Sequence, residues 1–153
     1  MESTGTAFIH LECSKCGTVY SRNKIYNLSP CCSLPLFPIY DLDKAHSSFN
    51  KNDLLGRPPN IWRYKEMMPV NYEENIITLG EGFTPLEPAD SLGKILGFKK
   101  LYLKNESINP TGSFKDRGMS AAISKAKEFG LNKISIPTAG NAGGATAAYT
   151  SKA

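Results

Sequence analysis

One short stretch, residues 109–118 with the sequence NPTGSFKDRG, constrains this 153-residue chain more than any other. A proline and a glycine two positions apart indicate a turn. Ser113, followed three residues later by Asp116, is typical of a capping box at the start of a helix. The pattern therefore predicts that Lys115 lies in the first turn of a helix, directly after a tight turn.

That position would give Lys115 unusual chemistry. The positive end of a helix dipole disfavours a second positive charge, and so favours the neutral amine that can attack an aldehyde. The free amides of the same turn can hold an anionic oxygen. The alternative is an ordinary lysine on a solvated helix surface.

The residues around this helix predict a strand–helix–strand unit. Apolar residues follow Lys115 with helical spacing and end before a glycine stop signal at Gly130. The members of this stripe are Met119, Ala122, Ile123, Ala126 and Phe129. With short apolar runs at 101–104 and 134–137 as the strands, the unit predicts a parallel α/β sheet with a right-handed crossover. Ligands of such sheets lie at the carboxyl ends of the strands.

A second loop, residues 138–144 with the sequence TAGNAGG, follows the predicted 134–137 strand. Gly140 and Gly143 allow the backbone to approach a ligand closely. The Ala-rich run from residue 141 onward predicts a helix whose first amides suit a carboxylate. Alone, the loop would be an ordinary strand-to-helix turn, and neither common nucleotide-binding glycine motif is present.

With both motifs in this order, the chain resembles the fold-type II pyridoxal-phosphate enzymes in their threonine synthase form. The resemblance implies an α/β fold of the tryptophan synthase β type, with an incomplete parallel sheet. It implies that Lys115 forms the Schiff base with the cofactor, that Phe114 lines the cofactor's face, and that Asn141 holds its phenolic oxygen. The residues implied to shape the pocket for the substrate carboxylate are Thr138, Ala139, Gly140 and Ala142.

The resemblance also implies a reaction, the conversion of O-phosphohomoserine and water to threonine and phosphate. The Lys-Asp-Arg sequence at 115–117 favours this activity over a threonine or serine dehydratase or another β-elimination or β-replacement enzyme. Ala139 lacks the hydroxyl that many threonine synthases carry, so the second reading stays open. The expected partner is a small amino-acid substrate, and the whole enzyme is a possible homodimer. Because its relatives are several hundred residues long, we expect this chain to be the N-terminal part of a longer enzyme.

The four cysteines predict a separate metal-binding module. Cys13-x-x-Cys16-Gly17 is typical of a zinc knuckle, and fourteen residues later come Cys31 and Cys32. Adjacent side chains point in different directions, so we expect one of the second pair to be the better ligand. The alternatives are reduced thiols, a disulfide pair, or a zinc-ribbon binding module on an inactive fragment. Such ribbons precede the catalytic part of many threonine synthase-like chains.

These patterns predict three segments: a zinc-ribbon-like β module at 8–43, a linker and aromatic connector at 44–78, and the start of the catalytic domain, truncated, at 79–153. The net charge of +4 is spread along the chain, which argues against nucleic-acid binding. No apolar run is long enough to span a membrane and no signal peptide precedes the module, so we expect no membrane partner and a cytoplasmic location.

Overall fold

The computed structural model describes residues 1–153, which form two compact units. The N-terminal unit contains Met1–Arg57 and Tyr64–Glu73, and the C-terminal unit contains Pro58–Arg63 and Glu74–Ala153. Short 3-10 helices occupy Asp53–Gly56, Ile61–Met67, Glu73–Asn75 and Glu106–Ile108. None of the helices combines the length and apolar character that crossing a membrane requires.

The N-terminal unit is built on a three-stranded antiparallel sheet. Its strands β1 (Phe8–Cys13), β2 (Val19–Tyr20) and β3 (Leu36–Tyr40) lie in the order β2-β1-β3. Helix α1 (Leu42–Ser48) follows, and its first turn is capped by Asp41, whose side chain accepts a hydrogen bond from the Lys44 amide at 2.8 Å.

Buried threonines bring residues 64–73 against the start of this sheet. Thr4 and Thr6 are almost fully buried, and their hydroxyls donate to the carbonyl oxygens of Val70 and Met68. Such hydroxyls can be buried without loss because each one has a partner. Phe8 and Val70 supply apolar surface to the same core.

The C-terminal unit combines one hairpin-like strand pair with two packed helices. Strands β4 (Leu86–Pro88) and β5 (Tyr102–Lys104) pair antiparallel, and helix α2 (Asp90–Leu96) connects them. Helices α3 (Lys115–Glu128) and α4 (Asn141–Lys152) pack on each other. The predicted strand at 101–104 and both predicted helix starts are confirmed. Gly130, which has φ +69°, ends α3 as predicted.

The predicted parallel sheet is wrong for this chain. Both sheets are antiparallel, and residues 134–137 belong to neither of them. Ile134 is 41% exposed, so this segment is not a buried strand. The apolar run resembles a buried strand, but a strand also needs neighbours that accept its hydrogen bonds, and no strand of this chain lies beside it. Strand β5 takes β4 as its partner instead.

The predicted apolar stripe on α3 is only partly correct. Ile123 is buried in the core cluster with Ile77, Ala145 and Tyr149, but Ala122 is exposed. The other fully buried positions of the helix are polar: Asp116, Ser120 and Ser124.

Ser120 and Ser124 are buried because they form hydrogen bonds with the carbonyl and the amide of Ile77. The Ser120 hydroxyl donates to the Ile77 carbonyl at 2.7 Å, and the Ile77 amide donates to the Ser124 hydroxyl at 2.8 Å. Trp62 Nε1 in turn donates to Ser120 at 2.9 Å. The helix therefore supplies the bonds that a neighbouring strand would otherwise provide.

Candidate active site and cysteine cluster

The lysine singled out by the sequence is the first residue of α3. Its side chain is exposed, and its Nζ lies 4.6 Å from the centroid of the Phe114 ring, which is itself 58% exposed. The Lys115 amide donates to the Ser113 hydroxyl at 3.2 Å. The Lys115 amine is therefore accessible to a ligand, and its cation–π contact with the Phe114 ring restrains its position.

Asp116 holds the turn before the lysine, but not as a capping box. Its carboxylate is fully buried and accepts hydrogen bonds from the Thr111 amide at 2.7 Å and from the Thr111 hydroxyl. The predicted bond to the Ser113 amide is absent. Gly112, at φ +77°, turns the chain so that Thr111 comes back over the start of the helix, where the carboxylate reaches it first.

The structure brings the lysine and the second loop together at one cleft. The cleft has a volume of about 430 Å³ and is open to solvent. Its lining consists of Lys115, Pro137, Thr138, Ala139, Gly140, Asn141 and Ala142. Every residue that the sequence assigned to the cofactor or substrate therefore borders this cleft, except Phe114, which contacts the lysine from beside it.

Thr138 closes the loop on itself. Its hydroxyl oxygen accepts from the amides of Gly140 at 3.0 Å and Gly143 at 2.9 Å. A Cβ atom on Gly143 would lie 2.7 Å from Thr138 Cγ2, so this close approach requires glycine. The amides of Asn141 and Ala142 make no hydrogen bond within the chain. Two helix N-terminal donors are thus left free beside the cleft, where an anionic oxygen would satisfy them.

An ion pair supports the chain between the strand pair and the lysine turn. Arg117 donates through Nε and Nη2 to the two carboxylate oxygens of Glu106, at 2.7 and 2.8 Å. Thr84 and Asn109 donate to the same carboxylate, and Asn109 also accepts from the Gly82 amide at 2.9 Å. The Arg117 guanidinium and these donors lower the pKa of Glu106 to about 2.

A buried carboxylate and phenol connect α4 to the segment before β4. The Tyr149 hydroxyl donates to Glu81 Oε2 at 2.7 Å, and both side chains are 0% exposed. Glu81 also accepts from the Leu79 amide and the Thr78 hydroxyl, both at 3.0 Å. Burial, and then the hydrogen bond to Glu81 and its charge, raise the pKa of Tyr149. Sequence reasoning missed this pair, because the two residues lie 68 positions apart and neither belongs to a local pattern.

The four cysteines lie together at the end of the N-terminal sheet. The sulfur atoms of Cys13, Cys16, Cys31 and Cys32 are all within 4.8 Å of one another. Cys16 Sγ lies 3.4 Å from Cys31 Sγ and 3.6 Å from Cys32 Sγ. All four are free thiols. Both members of the adjacent pair therefore reach the cluster, although the sequence favoured one of them.

These sulfur positions fit one tetrahedral metal ion. Four sulfurs at about 2.3 Å from a zinc ion are separated by about 3.8 Å, which is close to the observed spacing. Soft thiolate ligands in this number favour zinc among the common metals. The predicted disulfide alternative is not formed, since all four cysteines are free.

Comparison with known proteins identifies a family and several similar chains. Residues 77–153 match the family described as pyridoxal-phosphate dependent enzyme. The threonine synthase of Methanosarcina acetivorans is 43% identical over 145 residues, covering 94% of this chain and 35% of the relative. That of Methanocaldococcus jannaschii is 41% identical over 140 residues, or 92% and 34% of the two chains. That of Halalkalibacterium halodurans is 52% identical over 93 residues, or 61% and 26%. The chain spans about a third of the length of the first two curated relatives.

Proposed function

Because the chain belongs to the family of pyridoxal-phosphate-dependent enzymes, we propose that its protein is a threonine synthase, which converts O-phosphohomoserine and water to threonine and phosphate. The observation that carries this proposal is the identity of 41% and 43% to two threonine synthases over more than nine-tenths of the chain. The proposal is supported by the cleft that Lys115 shares with the loop around Asn141.

Lys115 has the central role in this proposal. Its Nζ would hold the cofactor through the aldehyde carbon and, once substrate has replaced it there, would move protons at the substrate's α and β carbons. Bound pyridoxal phosphate supplies a sink for the negative charge that develops on those carbons. Phe114 would pack against the cofactor, because its exposed ring already lies beside the lysine.

The loop after residue 137 would bind both the phenolic oxygen of the cofactor and the carboxylate of the substrate. Asn141 would donate from its side chain to the phenolic oxygen of the cofactor. The free amides of Asn141 and Ala142 would hold the substrate carboxylate, and Thr138, Ala139 and Gly140 would form its walls. Thr138 would act mainly through the backbone, since its hydroxyl oxygen is already engaged by two amides of the loop.

The lysine assignment is tested by reduction of the cofactor-loaded protein with borohydride. We expect the reduced pyridoxyl group on Lys115 by peptide mapping, and its loss in Lys115→Ala. Lys133→Ala is the matched control, because Lys133 is exposed and lies outside the cleft. Label on another lysine in the unmodified protein would refute the assignment.

The substrate is tested separately, because the loop at 138–144 suits either a synthase or a dehydratase. A threonine synthase releases phosphate from O-phosphohomoserine in step with threonine formation. A dehydratase instead forms a keto acid from threonine or serine. Keto acid without phosphate release would overturn the synthase proposal and leave the cofactor site in place.

We also propose that Cys13, Cys16, Cys31 and Cys32 bind one structural zinc ion, on the evidence of their clustered sulfurs. We expect about one zinc per chain by elemental analysis, and loss of structure around the cluster on chelation. Freshly reduced protein without zinc would favour a set of plain thiols. Zinc without pyridoxal phosphate binding or catalysis would favour the non-enzymatic module. Four reduced, metal-binding thiols suit the cytoplasm, where we place the enzyme.

A further inference from the structure

Three of the four clustered cysteines have a side-chain hydroxyl within hydrogen-bond distance of their sulfur or amide. The hydroxyls come from different parts of the N-terminal unit, yet they converge on one end of its sheet. The pairs are Ser29 with the Cys13 sulfur, Thr18 with the Cys16 sulfur, and Tyr20 with the Cys31 amide.

Ser29 is the buried member of this set. It is 1% exposed, and its Oγ accepts a hydrogen bond from the protonated Cys13 thiol at 3.3 Å, a bond that would reverse once the thiol loses its proton. The same oxygen accepts a hydrogen bond from the Leu34 amide at 3.1 Å. Because that bond uses an oxygen lone pair, the Ser29 proton remains available to a thiolate at Cys13. Ser29 thus joins the second pair of cysteines to the end of β1, where Cys13 lies.

Tyr20 contacts the second pair directly. Its hydroxyl accepts from the Cys31 amide at 3.1 Å, and because that bond uses an oxygen lone pair, the Tyr20 proton remains available to a thiolate at Cys31. The Tyr20 ring is held by the ring of Tyr26, with centroids 5.3 Å apart. The hydroxyl is therefore fixed by packing that does not depend on a metal ion.

Thr18 is the exposed member of the set, and Cys32 is the cysteine without such a partner. Thr18 Oγ1 lies 3.1 Å from Cys16 Sγ, and the Thr18 carbonyl accepts from the Cys13 amide at 3.0 Å. Cys32 Sγ has only another thiol, that of Cys16, within bonding reach.

Four thiolates around a divalent cation leave a net charge of about −2 on the site, which donors behind the sulfur atoms stabilise. We propose that Ser29, Tyr20 and Thr18 are positioning residues of the metal site, which fix three thiolates and raise zinc affinity by donating hydrogen bonds to them. This proposal rests on the zinc proposal above. It assigns to these residues a function in metal retention that is separate from the fold of the sheet.

The test is competition for zinc between the 153-residue chain and a chelator of known affinity, with Ser29→Ala, Tyr20→Phe and Thr18→Val. We expect zinc affinity to fall by about 10- to 100-fold in the first two, as is usual when a hydrogen-bond partner of a ligand is removed. Ser14→Ala is the matched control, because Ser14 adjoins Cys13 and is exposed, while the hydroxyls hydrogen-bonded to the sulfurs are those of Ser29 and Thr18.

A spectroscopic signature separates this role from general loss of structure. With cobalt(II) as the probe, removing a hydrogen bond raises the energy of the sulfur lone pair, so the sulfur-to-cobalt charge-transfer band should move to longer wavelength. Thr18→Val and Tyr20→Phe keep shape and ring packing, so they carry the test even if Ser29→Ala unfolds.

The outcomes are distinct. If the unmodified chain binds zinc and Tyr20→Phe and Thr18→Val match Ser14→Ala within twofold, with unmoved cobalt bands, the hydroxyl proposal is overturned and the zinc site stands. If the unmodified chain binds no zinc, the zinc proposal falls and this one falls with it. Weaker zinc binding with a shifted band supports both.

Discussion

Replacing Tyr149 with phenylalanine should destabilise the C-terminal unit by an amount that the structure allows us to estimate. The change removes one oxygen and leaves the ring, so the core around Ala145 and Ile123 keeps its volume. What it removes is the 2.7 Å hydrogen bond to Glu81, whose carboxylate is fully buried and has only Thr78 and Leu79 as its other donors.

A hydrogen bond to a buried charge contributes about 1.5–3 kcal/mol, because its loss leaves the charge without compensation. We therefore expect Tyr149→Phe to lower the free energy of unfolding by about 2 kcal/mol, a change of up to roughly 30-fold in the unfolding equilibrium. The assay is urea unfolding followed by the fluorescence of Trp62, which is buried in the same unit.

Tyr102→Phe provides the matched control for this measurement. Tyr102 lies on β5, is 50% exposed and makes no side-chain hydrogen bond. Removing its hydroxyl should therefore change the free energy of unfolding by no more than about 0.5 kcal/mol. If Tyr149→Phe proves no more destabilising than Tyr102→Phe, the Glu81 bond contributes nothing and the reasoning is wrong.

The same bond predicts a dependence on pH. The folded state raises the pKa of Tyr149 above its unfolded value of about 10, first through burial and then through the hydrogen bond to Glu81 and its charge. The stabilisation is therefore complete below about pH 10 and is lost as the pH rises through the folded pKa. Tyr149→Phe should lack this alkaline loss, measured as the difference in unfolding free energy between pH 9 and pH 11.

Two further predictions concern the support of the cleft. The pKa of Glu106 is lowered to about 2, so Glu106 should stabilise the fold fully above about pH 4.3 and lose this effect as the pH falls toward 2. Arg117→Gln should reduce that dependence of the unfolding free energy on acid pH, measured by urea titration. An unchanged pH profile would contradict the ion pair. Gly143→Ala should cost about 1–3 kcal/mol, because its Cβ would meet Thr138 at 2.7 Å. Gly144→Ala, with open space at its Cβ, should be neutral or stabilising, and equal effects of the two would refute the close contact.

The sequence predicted the parts of the site that depend on neighbouring residues. The turn before Lys115 and the helix start at Asn141 were both readable, because proline, glycine and the first helical residues act on their own backbone. The clustering of Cys13 and Cys16 with the second pair followed from spacing in the same way. The capping box failed because Asp116 had an alternative donor, Thr111, only five residues away.

The sheet and the buried face of α3 could not be predicted in this way. Pairing of β5 with β4 depends on a segment sixteen residues earlier, and an apolar run such as 134–137 does not show whether a neighbour exists. Ser120 and Ser124 look like surface residues in a helical pattern. They are buried only because the backbone of Ile77, more than forty residues away, needs a donor and an acceptor.

Helix α4 connects the buried Tyr149–Glu81 hydrogen bond to the cleft that contains Asn141. Tyr149 lies eight residues after Asn141, about 12 Å along the helix, and Glu81 anchors it there. A helix fixed at that point presents its first amides to the cleft in one position, because its own backbone bonds keep the two turns rigid. The positions of the residues that face the cleft therefore depend on Tyr149 and Glu81, which lie outside the cleft. We therefore expect that loss of the Tyr149–Glu81 hydrogen bond would displace the N-terminal end of α4, including Asn141, although none of the residues lining the cleft is changed.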